Sequence, residues 1–403
     1  MASSAATTTV LETSRVYKTT FGEDFVPPQY TIKDILDAIP KRCFERSFAR
    51  SFAHVLRDLS YTAGLVYCAS HIHLVSSAPL RFLCWAVYGI LQGMVGTGIW
   101  VLAHECGHGA FSTSRRANDT VGWILHSSLF VPYHSWRLTH SKHHKATGHL
   151  TRDTVFVPRE QETYLISRNL SELTEEAPIA SLYWLVVQQL FGWPTHLLTN
   201  VTGQKYPGVA KWKVNHYWPG APMFDARDYR DIVISDIGIA IASAVAYFAI
   251  KKFGLANFIL YYFIPYLFVN HWLVCITYLQ HTDPNLPHYN AEEWNFARGA
   301  AATVDRGFFG PVGRHFFHEI IETHVAHHYS SRIPFYHAEE ATQAIRKVMG
   351  SHYHVDRTNV LVALWRTVRT CQFIEGDGVK MYRNGNGIGI KPQKLVIDSK
   401  KTQ

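Results

Sequence analysis

Charged residues are scarce in this chain, and several common signatures are missing from it. Only 17% of its 403 residues are Asp, Glu, Lys or Arg, whereas about a quarter is usual in soluble proteins. The six cysteines form no C-x-x-C pair, so no disulfide framework or cysteine-based zinc site is indicated and a reducing, cytosolic environment is favoured. The net charge is +8, yet no run of five Lys or Arg occurs, and nothing indicates nucleic-acid binding. No apolar segment near the start resembles a signal peptide.

Apolar and aromatic residues are abundant instead. Hydrophobic residues, with the aromatic ones included, make up 47% of the chain, and aromatic residues alone make up 14%. Such a composition is typical of a protein with a large surface at a membrane interface. Four apolar segments, at about residues 59–75, 82–103, 232–250 and 255–278, are predicted to be transmembrane helices. The second carries no formal charge and at 1.5 Å per residue covers roughly 33 Å, enough to cross a bilayer. Short turns pair the four segments into two hairpins.

Two hairpins place both termini and both long loops on one side of the membrane. The predicted fold is therefore an all-α integral membrane protein with four transmembrane helices and a helical cap on the cytosolic side. Residues 1–50 are predicted to be a cytosolic region with a surface helix at 32–39, residues 51–385 a membrane domain and residues 386–403 a cytosolic tail. The apolar segments 121–133 and 179–201 are interrupted by His, Gln or Pro, which favours interfacial positions.

Histidine is concentrated in three short groups, called here the first, second and third boxes. The first has the spacing H-x-x-x-H, and the other two have the spacing H-x-x-H-H. Residues three and four apart share one face of a helix, so the imidazoles of each box can reach one site. Eight histidines buried without a metal would leave many ring nitrogens without partners. A metal centre is therefore predicted, with these candidate ligands: His104, His108, His140, His143, His144, His324, His327 and His328.

The number of imidazoles favours two adjacent iron ions. Zn, Cu, Fe and Ni all bind imidazole, but eight donors are too many for one tetrahedral zinc. A carboxylate-bridged di-iron bundle needs two Glu-x-x-His motifs, and only Glu105 with His108 fits. The first box also satisfies the H-E-x-x-H pattern of zinc proteases, so an intramembrane zinc protease is a distant alternative. A non-enzymatic metal carrier is a still more distant one. Gly107 inside that motif and the unused second and third boxes disfavour the protease.

The three boxes, their order and their placement around two hairpins resemble the membrane fatty-acid desaturase family. The resemblance is closest to the fungal oleate-type (delta-12) acyl-lipid subgroup. Residues 100–112, 121–149, 278–289 and 323–328 carry it, and it covers most of residues 25–385. It implies that the eight box histidines bind iron and that one further ligand follows the fourth transmembrane helix. His281 is the candidate for this ligand. The alternative is that His281 forms a hydrogen bond to a metal ligand and does not bind the metal itself. His318, on a predicted helix, and Glu105 are expected to support ligands without binding metal.

By this resemblance the chain is an oxidoreductase that uses two non-haem iron ions, O2 and two electrons. The expected reaction inserts a cis double bond at the delta-12 position of oleoyl chains in membrane phospholipid, giving linoleoyl chains. No His-Pro-Gly-Gly haem motif occurs, so cytochrome b5 and its NADH-dependent reductase are the expected electron donors. An omega-3 or bifunctional delta-12/omega-3 desaturase and an oleate 12-hydroxylase are alternatives with the same ligands. Head-group preference and a homo-oligomeric state are left open.

The expected location is the endoplasmic reticulum membrane, with several spans and with both termini and the active site in the cytosol. Lys400 and Lys401 near the C-terminus resemble the dilysine signal of proteins that are retrieved to this membrane.

Overall fold

The computed structural model describes residues 15–164 and 178–389, which are mostly helical. Short strands accompany the helices near the predicted cap. The helices named here are α1 Ile32–Ala38, α2 Phe48–Ser70, α3 Ala78–His108, α4 Arg115–Ser127, α5 Tyr133–His144, α6 Pro178–Thr199, α7 Tyr229–Phe253, α8 Leu255–His281, α9 Phe296–Ala301, α10 Gly310–Phe316, α11 His324–Tyr329, α12 Phe335–Met349 and α13 Val360–Thr370. Within α8, Ile259–Phe263 is a π-helical segment.

Three helices among the described residues are long and apolar enough to cross a membrane. They are Ala78–His108, Ala226–Phe253 and Leu255–His281, and they contain the predicted segments 82–103, 232–250 and 255–278. The segment predicted at 59–75 is not among them. Its residues 59–70 lie in α2, which ends at Ser70 and includes the charged residues Arg57 and Asp58.

Small residues allow α3 and α8 to pack closely. A Cβ atom on Gly93 of α3 would lie 2.3 Å from the Cβ atom of Phe268 on α8 and 3.2 Å from its backbone, and one on Gly96 would lie 2.7 Å from Val269. Helices in apolar surroundings associate through such small residues, because close backbone approach increases van der Waals contact. Because α3 ends at His108 and α8 ends at His281, the pair delivers both histidines to the same end of the bundle.

Helices α1, α9, α11 and α12 pack together at that end, where α11 carries the third box. The predicted surface helix at 32–39 is α1, where Thr31 forms a capping box with Asp34, and its Ile35 is fully buried against α12. Segments 121–133 and 179–201 lie largely in α4 and α6, and their position relative to a membrane stays a prediction. The C-terminal lysines lie outside the described residues.

Short strands also form part of the cap, which the sequence pattern did not predict. The strands are β1 Tyr17–Lys18, β2 Asp24–Phe25, β3 His288–Tyr289, β4 Asp305–Arg306, β5 Val355–Asp356, β6 Phe373–Glu375 and β7 Val379–Arg383. β1 pairs antiparallel with β2, β7 pairs antiparallel with both β3 and β6, and β4 pairs parallel with β5. The register places His288 opposite Lys380 and Asp305 opposite Val355.

Candidate metal centre

Four helices position the histidines. The first box forms the last turns of α3, which ends at Gly109 in the left-handed conformation, with φ of 72°. That conformation is easy for glycine, so the helix ends directly after His108. The second box forms the last turns of α5, and the third box forms most of the short helix α11. His281 is the last residue of α8.

The larger of two histidine groups draws on three elements. One ring nitrogen from each of its members lies within 4.8 Å of those of all the others. The Nε2 atom of His104 lies 2.9 Å from that of His140 and 3.2 Å from that of His108, and the Nε2 atoms of His140 and His144 are 3.1 Å apart. The five members are His104, His108, His140, His144 and His327.

The second group lies beside the first. His143, His281 and His328 also bring ring nitrogens within 4.8 Å of one another. His324 extends this group, because its Nε2 atom lies 2.9 Å from that of His281. The structure therefore brings all nine predicted ligands together in groups of five and four. A single tetrahedral zinc site, as in a metalloprotease, would use far fewer of these donors.

Burial keeps these imidazoles uncharged. The pKa of His144 is held well below the ordinary value of 6.5, first by desolvation and then by the neighbouring His328. Desolvation likewise lowers the pKa of His324 and His328 well below that value, and it lowers the pKa of His327 to about 3. At neutral pH each of these rings therefore offers one nitrogen lone pair, which is the form that binds a metal.

Several of these ring nitrogens have no hydrogen-bond partner among the described residues. They include the Nε2 atoms of His143, His327 and His328, all of them buried. A buried polar atom without a partner costs roughly 1–3 kcal/mol. Metal ions between the converging rings would satisfy them, and an all-imidazole donor set suits iron among the transition metals. The residues present therefore fit two metal ions.

Two further side chains contact the ring nitrogens of these histidines, and the sequence analysis predicted neither. The Nδ1 atom of His143 lies 2.8 Å from an oxygen of Asp153. Thr147 donates a hydrogen bond to the carbonyl of His143 at 2.8 Å, and its Oγ1 atom lies 3.1 Å from Nδ1 of His328. Both contacts place the ring proton on Nδ1 and leave Nε2 free for a metal. Neither residue belongs to a recognisable motif, although both closely follow the second box.

Glu105 lies next to His104 in α3, whereas His318 lies in a loop and contacts α2. One Glu105 oxygen accepts the Phe335 N–H at 3.1 Å, and the other lies 3.8 Å from Nδ1 of His104, which is too far for a direct hydrogen bond. The prediction that His318 lies on a helix is wrong. It lies in the loop between α10 and α11 with φ of 50°, and its Nε2 atom lies 2.8 Å from Asp58. Contacts across the fold override the local helical pattern here.

Comparisons with known proteins agree with this geometry. The family model described as "Fatty acid desaturase" matches residues 81–359, a span that contains all nine histidines. A delta(12) fatty acid desaturase of Mortierella isabellina is 49% identical and aligns with 92% of this chain and 94% of its own length. An oleate hydroxylase of Claviceps purpurea is also 49% identical, over 93% of this chain and 85% of its own. A delta(12)-fatty-acid desaturase of Arabidopsis thaliana is 42% identical and aligns with 89% of this chain and 92% of its own length.

Proposed function

Because the chain belongs to the fatty acid desaturase family and is therefore an oxidoreductase, we propose that it introduces the delta-12 double bond into oleoyl chains of membrane lipids. The product would be linoleoyl chains. The observation that carries this proposal is the convergence of nine imidazoles into two adjacent groups. Relatives named delta(12) fatty acid desaturase, at 48–49% identity over at least 90% of this chain, support the regiochemistry.

The proposed cofactor is a pair of iron ions. When bound, they would supply the O2 activation that removal of hydrogen from an unactivated methylene group needs, because side-chain acid–base chemistry is too weak for that step. The protein contributes the donors, their orientation through Asp153 and Thr147, and the exclusion of water by burial. The group of five would hold one ion. His143, His281, His324 and His328 would hold the other.

The overall reaction determines what else must reach the site. One O2, two electrons and two protons are consumed per double bond, and two water molecules leave with the two hydrogens taken from the acyl chain. We assign the electrons to cytochrome b5 and its NADH-dependent reductase, which the resemblance to acyl-lipid desaturases supports. The acyl substrate would reach the metal centre from the bilayer.

We further propose four spans, with α2 as the fourth. Large apolar side chains are exposed on α2, such as Leu59 and Tyr67, and just beyond its end, where Leu74 lies. A lipid-facing surface requires such side chains. The termini and the metal centre would then face the cytosol at the endoplasmic reticulum. Reporter tags at both ends, tested by protease protection in intact microsomes, check this orientation. Protection of either tag would contradict it.

An oleate 12-hydroxylase is the second candidate. The Claviceps purpurea oleate hydroxylase matches this chain at the same identity as the Mortierella isabellina desaturase. Both reactions begin with hydrogen removal from the same part of the acyl chain and use the same ligands. They differ in whether a second hydrogen or an oxygen atom is transferred.

Lipid analysis after expression in a yeast that makes oleate but no polyunsaturated chains tests the proposal. Methyl esters are separated by gas chromatography and identified by mass spectrometry, and the His143→Ala variant is the matched control. New linoleate that the control lacks is the expected result. Added linolenate would show omega-3 activity as well, and 12-hydroxyoleate would favour the hydroxylase. Iron-loaded protein in the membrane with no new lipid would contradict the acyl substrate.

A further inference from the structure

A buried acid–imidazole pair lies outside the nine histidines. The Nε2 atom of His318 lies 2.8 Å from an Asp58 oxygen on α2, and both side chains are at most 2% exposed. Arg57 lies 2.7 Å from the other Asp58 oxygen and also donates to the carbonyl of His315 at 3.0 Å. A carboxylate is seldom buried unless it is paired. Asp58 meets this requirement by pairing with Arg57 on its own helix and with His318 in the loop before α11.

This loop has a strained backbone. His318 and Glu319 both have left-handed φ angles, 50° and 60°, a conformation that is unfavourable for residues other than glycine. Two in succession persist only where other contacts hold them. Gln280 of α8 donates to the Ile320 carbonyl at 2.8 Å, and the N–H of Arg306 in β4 donates to the Ile321 carbonyl at 2.8 Å. The loop is thus held from three elements.

The same loop leads directly into the third box. α11 begins at His324 and has only six residues, too few to form a stable helix unaided. Its position depends on the preceding loop and on Asp305, which accepts the N–H of Val325 at 2.8 Å. A shift of the loop would move His324, His327 and His328 together. Both metal groups would then lose their geometry, because α11 contributes to each.

A small cavity separates His318 from the metal centre. Its volume is about 10 Å³, and its lining includes Glu105, His318, Thr323 and His327. This is close to the space that one water molecule needs. Because Nε2 of His318 is directed to Asp58, its Nδ1 atom is an acceptor, and that atom is buried without a hydrogen-bond partner among the residues described. A single water could donate to Nδ1 and form a second hydrogen bond with the carboxyl group of Glu105.

We propose that Asp58 and His318 are positioning residues of the metal centre and that one ordered water in this cavity links them to Glu105. The pair fixes the strained loop, the loop fixes α11, and the water joins that assembly to the residue beside His104. This inference rests on the proposed function only in taking the nine histidines as metal ligands.

Cobalt binding by the full-length protein in lipid nanodiscs tests the pair without any lipid turnover. The ligand-field absorption of Co²⁺ reports coordination geometry, and titration gives affinity. We expect Asp58→Asn and His318→Gln each to weaken binding by about 10- to 100-fold, the range found for residues behind metal ligands, and to shift the absorption bands. The double variant should be no weaker than the weaker single one, because both remove the same contact. Ser60→Ala, on an exposed position of α2, is the matched control.

A purely structural role would lower the melting temperature and leave the cobalt spectrum unchanged, and that result would overturn the proposal. If Asp58→Asn does not accumulate, the spectrum of His318→Gln decides alone. Wild-type protein that binds cobalt but forms no linoleate would refute the proposed reaction and leave the pair standing. An experimental density map that resolves ordered water should contain a peak in the cavity. An empty cavity would refute the claim that a water links His318 to Glu105.

Discussion

Replacement of Asp153 tests the metal centre at one well-defined hydrogen bond. Its Oδ1 atom lies 2.8 Å from Nδ1 of His143, and the two side chains are 3% and 1% exposed. The carboxylate also accepts the N–H groups of Val155 at 2.9 Å, Phe156 at 3.3 Å and Gly148 at 3.3 Å. These backbone contacts fix the carboxylate, and the carboxylate in turn fixes the ring proton of His143 on Nδ1.

Asp153→Asn retains the shape of the side chain and one oxygen for the backbone N–H groups. Because Val155, Phe156 and Nδ1 of His143 all contact the same Oδ1 atom, the substitution replaces the charged acceptor at Nδ1 by a neutral amide oxygen and sets the NH2 group against the N–H of Gly148. The ring form with its proton on Nδ1 is therefore held less strongly. A hydrogen bond to a charged group contributes about 1.5–3 kcal/mol, and 1.4 kcal/mol corresponds to a factor of ten. We therefore expect metal binding to weaken by about 10- to 150-fold, with a matching loss of linoleate.

Two measurements check this expectation. Iron per chain is determined by mass spectrometry on purified protein, and the affinity of the metal-free protein is determined by cobalt titration. Asp119→Asn is the matched control, because Asp119 is a partly exposed carboxylate whose ion pairs involve Arg115 and Arg137 rather than a box histidine. Iron content and affinity equal to wild type in Asp153→Asn would refute the claim that this carboxylate sets the His143 tautomer.

Three further predictions concern the centre and the helix pair beneath it. His327→Ala removes one donor from the group of five, so it should lose bound iron and measurable desaturation; wild-type turnover would remove His327 from the ligands. Because the pKa of His327 is lowered to about 3, unfolded chains bind more protons below pH 6.5, so the unfolding free energy of the metal-free protein should fall between pH 7 and pH 5. Thermal unfolding across that range checks this, and a flat profile would contradict it. Gly93→Ala should destabilise the protein by about 1–3 kcal/mol through overpacking against Phe268, whereas Gly64→Ala, with nothing within 4 Å, should not; equal melting temperatures would contradict the packing argument.

The membrane helices illustrate what local sequence can predict. Long apolar stretches predicted the positions of the three helices that are long and apolar enough to cross a membrane, because hydrophobicity is a property of each residue and needs no partner. Helix ends were less predictable. The helix that contains the predicted segment 82–103 continues to His108, because the polar histidines of its last turns face other histidines that come together only in the fold. The segment at 59–75 begins beside Asp58, whose burial depends on His318, far away in the chain.

In the candidate site, too, some residues could be predicted from local sequence and others could not. The eight box histidines follow from spacing, since positions three and four apart share a helix face wherever the helix lies. His281 required the family resemblance, because one histidine at a helix end carries no pattern of its own. Asp153 and Thr147 were not predicted, as an acid or hydroxyl near a metal ligand looks like any polar loop residue.

The sequence by itself therefore determined the class of the protein, three helices that are long and apolar enough to cross a membrane, and eight of the nine histidines that converge in the structure, all of which depend on composition and on separations of a few residues. Only the tertiary structure decided how the boxes divide into two groups, which side chains orient each ring, and why the His318 loop is not helical. Those features depend on contacts between residues far apart in the chain, such as Asp58 with His318 and His281 with His324. Such contacts exist only after α2, α8 and α11 have packed together.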